Sequence, residues 1–405
     1  MRFTDPRILR LLAFLTRRQA WMSPLEISHE FRLDGKRISA RTVQRWFTFL
    51  RERGGGFVYY PYPKANTLGL QDVFVRARGL RNHDVLGILP FASSITVEVG
   101  LGDYEPFVSQ SYWVPGPAMK PFREFWRAAR ALGHVAEVDV FPTRNTHYLY
   151  SPFHEVIRRD GDAELTGKLE NDHFRKLVTR HLREPFEVRL GDRIRTAPVI
   201  IPTVVERIWA HYSSRQVWNE IRAKGEDRII AYGGRDLAKA VRRPGYAIQW
   251  LQKQWRDLLR HFDDAFLQPR VMFDWTSLKR CMFLSVFLQT RSVEDMIEAA
   301  VQSSQLSIYT AFRPGLDGDL RCHLSSFLPN DQLLPSLEVA KRFHRGAEPP
   351  FVAVQDKQAL LAMFKPAYCK LDWRLFDPRT LSWSFDSEAY VEQLEQLPHG
   401  ARTRN

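Results

Sequence analysis

The chain has 405 residues, of which 44% are hydrophobic and 13% are aromatic, and its formal net charge at pH 7 is +13. This composition excludes an intrinsically disordered chain, and the length predicts two to four domains rather than one. The sequence has neither the apolar run of about 20 residues that a membrane helix needs nor a signal-type segment, so we expect a cytoplasmic protein without a membrane partner.

Three short helices are predicted at the start of the chain. Asp5–Pro6 begins the first, Ser23–Pro24 begins the second, and Ser39 caps a third that ends at the glycines of 54–56. Helical spacing puts one apolar and one polar face on the third helix. The apolar face consists of Val43, Trp46, Phe47 and Leu50, and the polar face includes Arg41, Arg45 and Thr48. This pattern predicts a helix-turn-helix whose third helix enters a DNA major groove.

Charge and residue type favour double-stranded DNA as the partner of this region. Residues 1–64 carry thirteen Lys and Arg against five Asp and Glu, and residues 235–262 carry seven against two, so these two segments hold the whole positive excess. Two strand-like segments, 57–60 and 67–70, flank a turn and predict a wing with Lys64 at its tip. The predicted DNA contacts of this unit are Ser39, Arg41, Thr42, Gln44, Arg45, Thr48 and Lys64. A helical protein-contact module is the alternative.

The next segment alternates strands and helices. Strand-like patterns cover 73–78, 95–100, 104–114 and 135–141, and helical patterns cover 83–90 and 122–132. The resulting order, β-α-β-β-α-β, is that of a ferredoxin-like sandwich.

The whole pattern then returns from about 213 to 354 at an offset of 205 to 216 positions. Val43 and Gln44 recur as Ile248 and Gln249, for example. We therefore predict a tandem duplication with an α+β fold, made of two winged helix-turn-helix domains and two ferredoxin-like sandwiches. The expected boundaries are 1–66, 67–143, 144–199 (a helical extension), 200–270, 271–356 and 357–405 (a C-terminal extension).

Two short motifs add a family resemblance. The segment Asn66–Leu70 before the first strand and the turn 99–104, which contains Gly102–Asp103–Tyr104, resemble the leucine-responsive regulator (Lrp/AsnC) family in their order and spacing. In that family the Gly-Asp-Tyr turn belongs to a ligand-sensing domain, and small effectors, often amino acids, bind near it. The resemblance implies effector-binding roles for Gly102 and Asp103 and, in the second copy, Gly318 and Asp319. An ordinary tight turn is the alternative.

The chain departs from the family because its two units are fused. Members are usually one unit that dimerises, so the fusion suggests an internal pseudo-dimer with sandwich packed on sandwich. Whether two fused chains also form a homodimer is left open by the sequence. The reading face also changes in the second copy, where Tyr246 and Trp250 replace Arg41 and Arg45. The predicted contacts there are Tyr246, Gln249, Trp250 and Lys253. An asymmetric DNA site or a protein partner would suit this helix.

Few residues indicate catalysis or a bound cofactor. Phosphate-binding, nucleophile and zinc motifs are missing from the sequence, and Cys281, Cys322 and Cys369 have the spacing of isolated buried thiols. We therefore predict a sequence-specific DNA-binding transcription regulator that is not an enzyme and carries no cofactor or metal. The alternatives are a protein-interaction adaptor and an enzyme like the siroheme decarboxylases, which are built on the same scaffold and surround a tetrapyrrole with His and Arg. His83, His134 and His323 keep that enzyme alternative open, although no His-Arg cluster is obvious in the sequence.

Overall fold

The computed structural model describes residues 4–18, 22–53, 58–101, 106–157, 171–195, 253, 257, 260–261, 266–272, 278, 280–355 and 375–398. Within these ranges we number the helices in chain order. They are α1 (Pro6–Arg17), α2 (Pro24–Glu30), α3 (Ala40–Arg53), α4 (Val85–Ile88), α5 (Met119–Ala131), α6 (Phe153–Val156), α7 (Asn171–Arg183), α8 (Asp192–Arg195), α9 (Val293–Gln305), α10 (Leu333–Phe343) and α11 (Ser387–Glu395).

The strands are numbered in the same way. They are β1 (Arg32–Leu33), β2 (Lys36–Arg37), β3 (Val58–Pro63), β4 (Leu70–Arg78), β5 (Ala92–Gly100), β6 (Pro106–Pro115), β7 (Glu137–Thr143), β8 (His147–Tyr150), β9 (Phe266–Met272), β10 (Cys281–Gln289), β11 (Tyr309–Pro314), β12 (Arg321–Pro329), β13 (Phe351–Gln355), β14 (Phe376–Asp377) and β15 (Ser382–Trp383). Helices and an antiparallel sheet share the described chain, which confirms the α+β prediction at this level.

One nine-stranded antiparallel sheet organises the molecule, in the order β7-β4-β6-β5-β13-β10-β12-β11-β8. Its first four strands and the group β13-β10-β12-β11 have the same internal order, and in both groups the third strand along the chain ends in a proline, Pro115 or Pro329, followed by a 3-10 turn and a helix. The two groups join where Ala353 of β13 pairs with Gly100 of β5. They therefore form a single continuous sheet. The sequence had suggested two separate sandwiches packed against each other.

The sheet curls until its two ends meet. At the end of β7, Thr143 forms an antiparallel bridge with Gly315, the residue after β11, and the backbone N–H of Arg144 donates to the carbonyl of Pro314 at 2.9 Å. The side chain of Arg144 also forms an ion pair with Asp317. The curl gives the sheet an outer face, covered by helices, and an interior face on which side chains from both strand groups meet.

Strand alternation divides apolar residues between these faces. On β10, for example, Leu284 and Val286 point outward into a core with α9, α10 and α7, while Phe283, Ser285 and Phe287 point to the interior. On the outer face of the first group, Tyr112 of β6 packs against Phe122 and Trp126 of α5. The N-terminal helices join that first core.

The first three helices keep the faces that their sequence predicts, but the predicted wing is wrong. Val43, Trp46, Phe47 and Leu50 of α3 are buried, as helical spacing requires. The strand β3 pairs with β9, more than 200 residues further along the chain, and does not form a hairpin with residues 67–70. Pairing so remote leaves no signal in the local pattern on which the wing prediction depended.

Candidate active site

A cluster of polar and aromatic side chains occupies the interior face of the sheet. It is built from alternate residues of four strands, which alternation aims inward. The members are Asp72, Phe74 and Arg76 of β4, Ser285 and Phe287 of β10, Arg313 of β11 and His323 of β12. We call this set the interior cluster. Both strand groups contribute to it, so it exists only because the sheet curls.

His323 is the centre of the cluster and has both ring nitrogens engaged. Arg313 Nη1 lies 3.2 Å from Nδ1, and Ser285 Oγ lies 2.7 Å from Nε2. A guanidinium only donates hydrogen bonds, so Nδ1 must carry the lone pair, and Nε2–H donates to the serine oxygen. The imidazole is therefore a neutral ring held in one tautomer.

Burial and charge keep this imidazole neutral. His323 is almost fully buried, and the loss of hydration lowers its pKa well below the ordinary value, with the positive charges of Arg313 and Arg76 acting in the same direction. A buried neutral imidazole donates a hydrogen bond from one ring nitrogen and accepts one at the other.

Aromatic rings pack around the polar groups. Phe287 stacks on His323 with a centroid distance of 4.3 Å and an interplanar angle of 17°, and Phe74 lies at the same distance with a larger tilt. The Arg76 guanidinium lies 4.1 Å from the centroid of Phe351, and that of Arg313 lies 5.4 Å from Phe74. Flat apolar surfaces and fixed cations thus alternate across the interior face.

Several buried donors in this region have no acceptor among the residues that the structure describes. They are Arg76 Nη1, Arg313 Nε and the hydroxyl of Ser109. Ser109 lies opposite Arg76 in the register of β4 and β6. Leaving a buried donor unsatisfied costs roughly 1–3 kcal/mol, more for charged groups. Such a set of donors is suited to an anionic group that is brought in from outside.

Asp72 gives the site a buried carboxyl. The backbone N–H and the hydroxyl of Thr146 both donate to its Oδ2, at 3.2 and 2.8 Å. Burial raises its pKa to about 6, while the positive charge of Arg313 and the two bonds from Thr146 act against that rise. A carboxyl with a pKa near 6 exchanges protons close to neutral pH.

A pair of buried histidines lies on the outer face of the same sheet. The rings of His147 on β8 and His181 on α7 are 4.9 Å apart between centroids, and the backbone carbonyl of His181 accepts from Arg144 at 2.9 Å. Burial is the main cause that lowers the pKa of His147 to about 4 and that of His181 well below its usual value. This pair lies outside the interior cluster.

The residues predicted to contact DNA in the first unit do not form a wing-and-helix surface. Arg41 and Arg45 are exposed on α3, with Thr42, Gln44 and Thr48 half-buried, and Ser39 caps the helix by accepting from Thr42 N at 3.2 Å. Lys64 is half-buried and close enough to His147 and His181 to lower the pKa of both. Lys64 is therefore not at the tip of a wing.

Much of the second unit lies outside the described residues. Tyr246, Gln249 and Trp250 lie outside the described residues, whereas Lys253 is described and is exposed and helical. In the first unit, Gly102 and Asp103 of the predicted effector turn also lie outside the described residues. Gly318 and Asp319 lie in the turn 315–320, where both carboxylate oxygens of Asp319 accept from Arg321. An effector role for this turn stays a prediction.

Of the three histidines named for the enzyme alternative, only His323 belongs to the interior cluster. His83 is exposed, and His134 is buried with Nε2 at 3.1 Å from the carbonyl of Leu394, where it fixes α11. Sequence reasoning missed Arg76 and Arg313. Their signal was strand alternation, which places each at an inward position, but only the curl shows that the two positions meet.

Cysteines and metal ligands add nothing to the site. Cys281 and Cys322 are free and buried, as predicted, and burial raises the pKa of Cys322 to about 12, while Cys369 lies outside the described residues. No group of three or more potential ligands in the described ranges is arranged to hold a metal ion. Likewise, none of the helices described here is long and apolar enough to span a membrane.

Comparisons with known proteins give two solved structures. The chain is similar to a crystal structure of the siroheme decarboxylase NirDL in co-complex with an iron-uroporphyrin III analogue, with 10% sequence identity, a TM-score of 0.42, and coverage of 86% of this chain and 90% of that chain. A second crystal structure of NirDL matches with 9% identity, a TM-score of 0.42, and coverage of 88% and 97%. No family model and no curated protein matches the chain.

These findings correct two predictions. The chain was predicted to be a DNA-binding transcription regulator and not an enzyme, whereas the solved structures that it resembles are of an enzyme. The sequence patterns described a scaffold, and one scaffold serves unrelated functions, so the functional prediction was wrong although many of its helices and strands are present. DNA as a partner is not supported.

Proposed function

We propose that this protein is an enzyme that binds a carboxylated tetrapyrrole on the interior face of its curled sheet and removes a carboxyl group as CO2. The observation that carries the proposal is the meeting of Arg76, Arg313 and the neutral His323 among aromatic rings. This is the His-Arg arrangement that the enzyme alternative required and that the sequence did not reveal.

The donor set suits such a substrate. A tetrapyrrole is a flat, largely apolar macrocycle with carboxylates at its edge, so it needs aromatic surfaces and fixed cations close together. The open donors Arg76 Nη1 and Arg313 Nε supply bonds for carboxylates, and Phe74 and Phe287 supply flat surfaces. Arginine suits this role because its planar fork matches a carboxylate.

Decarboxylation needs charge placement and one proton. The C–C bond to the carboxylate breaks, CO2 leaves, the electron pair stays on the substrate carbon, and a proton then completes that carbon. Cations near the macrocycle stabilise the negative charge that develops. Asp72, with a pKa of about 6, is the group that can donate the proton, whereas the neutral His323 donates a hydrogen bond from Nε2 and keeps its proton.

We also propose that each half of the chain is an Lrp-like unit with a ferredoxin-like sandwich, within the boundaries expected from the sequence. The shared strand order of the two groups supports this. In this arrangement the N-terminal helices are scaffold elements that pack on the first core. The fusion lets the two halves supply different residues to one site.

Titration with siroheme tests the proposal. We expect a change in the Soret absorption on mixing and, after anaerobic incubation, a product lighter by one or more CO2 units in mass spectrometry. The variant Arg313→Gln should weaken binding about tenfold or more, because it removes a charge-assisted bond worth roughly 1.5–3 kcal/mol. Arg130→Gln, an exposed change on α5, serves as the matched control. An unchanged spectrum at saturating siroheme would rule out the proposal.

A further inference from the structure

A pocket of about 370 Å³ lies on the outer side of the sheet, away from the interior cluster. Its walls come from α5, from the end of β7 and from the turn 315–320. Both strand groups therefore contribute to it. The effector role predicted from the sequence concerns Gly318 and Asp319, which do not line this pocket, and the proposed function assigns no role to this space.

Cations form one wall of the pocket. Lys120, Arg123 and Arg127 line it and stand three and four residues apart on α5, so they share one face of the helix. Within the described ranges, Lys120 has one distant ion-pair partner, Glu124 at 4.0 Å. For Arg123 and Arg127 the described part of the chain provides no ion pair or hydrogen bond. Three neighbouring positive charges with so little compensation favour an anion between them.

Apolar groups form the other wall. Pro142 and Leu316 line the pocket away from α5, and Met119 lines it beside the cations on the helix. An inorganic anion would leave this wall in contact with water, whereas a ligand with an apolar body would bury it at a gain of about 25 cal/mol per Å². A ligand that fits this pocket therefore carries an anionic group and an apolar body.

The floor of the pocket is fixed by the closure of the sheet. Gln71 lies in the lining, and its side-chain Nε2 donates to the carbonyls of Asp72, at 2.8 Å, and Thr143. Thr143 in turn bridges Gly315, next to Leu316. The walls are held together by backbone contacts, so the pocket is largely formed before any ligand binds.

We propose that this pocket binds a small molecule with an anionic group, carboxylate or phosphate, on an apolar body. The anion lies against Arg123, Arg127 and Lys120, and the apolar body lies against Leu316 and Pro142. The site is separate from the interior cluster, and the inference does not depend on the proposed function.

Calorimetric titration of the full chain with four probes tests the proposal. Phenyl phosphate and 3-phenylpropionate carry both features and distinguish phosphate from carboxylate, inorganic phosphate carries the charge alone, and 2-phenylethanol carries the ring alone. We expect at least one of the two aromatic anions to bind about tenfold more tightly than inorganic phosphate and 2-phenylethanol. No binding of either aromatic anion, or equal binding of inorganic phosphate, would overturn the proposal.

Variants locate the bound probe. Arg123→Gln and Arg127→Gln should each reduce affinity about tenfold, as expected for loss of a bond worth about 1.4 kcal/mol, and Leu316→Ser should reduce the affinity for the aromatic anions only. Arg130→Gln is the matched control, because Arg130 is an exposed cation of the same helix that does not line the pocket. An equal loss of affinity in Arg130→Gln would show non-specific attraction and contradict the site. All four side chains lie at or near the surface, and circular dichroism confirms folding of each variant.

Discussion

Arg313 donates from Nη1 to Nδ1 of His323 across neighbouring strands, at 3.2 Å. This bond places the imidazole proton on Nε2, where Ser285 accepts it at 2.7 Å. The tautomer of His323 is thus fixed by Arg313, because a guanidinium donates hydrogen bonds and accepts none. The consequences are measurable in stability as well as in binding.

Ser285→Ala should destabilise the fold by roughly 1–3 kcal/mol, because it leaves the buried Nε2–H of His323 without an acceptor. Urea denaturation at pH 7 measures the change. The control is Ser325→Ala, which lies opposite Ser285 on β12 and is only half-buried. Equal losses in the two variants would mean that the serine hydroxyl does not serve the histidine.

The buried histidines make stability depend on pH. His147 has a pKa of about 4 in the folded chain against about 6.5 when unfolded, so between these values the unfolded state binds more protons. Its contribution is complete above pH 6.5 and is lost as the pH falls towards 4, by up to about 3 kcal/mol. His147→Phe should remove that share of the slope when unfolding free energies are compared from pH 7.5 to 4.5. Parallel curves for the variant and the natural chain would contradict the assignment.

Asp72 acts in the opposite direction. Its pKa is raised from 3.8 to about 6, so between these values the folded state binds more protons, and stability is lost as the pH rises. Asp72→Asn keeps an acceptor for Thr146 but removes the buried charge, so it should raise the unfolding free energy at pH 7 by up to about 3 kcal/mol. The gain should vanish near pH 4. A loss of stability at pH 7 would show that the bonds from Thr146 outweigh the cost of burial.

Gly315 has no room for a side chain. A Cβ there would stand 2.8 Å from Asp319 Cβ and 3.0 Å from the carbonyl oxygen of Arg321, so Gly315→Ala must displace the turn 315–320. We expect a loss of roughly 1–3 kcal/mol, as for other overpacked sites. Gly116→Ala is the comparison, because its nearest neighbour is the side chain of Val188, which can move. Thermal unfolding of both variants distinguishes a rigid contact from a soft one.

Local patterns predicted the elements well where the reason was local. The apolar face of α3 follows from a 3.6-residue period within one helix, and Val43 and Trp46 are buried accordingly. The strand β4 begins at Leu70, a few residues before the predicted start, because strand ends depend on pairing partners.

The candidate site could not be predicted from the sequence, because its residues meet through long-range strand pairing. Alternation places Arg76 and His323 on inward faces, yet they are 247 positions apart and meet only through the β5–β13 pairing and the curl of the sheet. The error over the wing has the same origin, since the partner of β3 is β9. Contacts of such long range depend on the whole topology and leave no mark in a short window of sequence.

The prolines that end β6 and β12, Pro115 and Pro329, allow equivalent positions in the two strand groups to be compared. Six residues before Pro329 stands His323, and six residues before Pro115 stands Ser109. The place that holds an imidazole in one half therefore holds a hydroxyl in the other. A dimer of identical units would have the same side chain at both places, whereas in the described part of this chain the imidazole occupies one of them. We therefore expect a ligand of the interior cluster to saturate at a stoichiometry of one per chain.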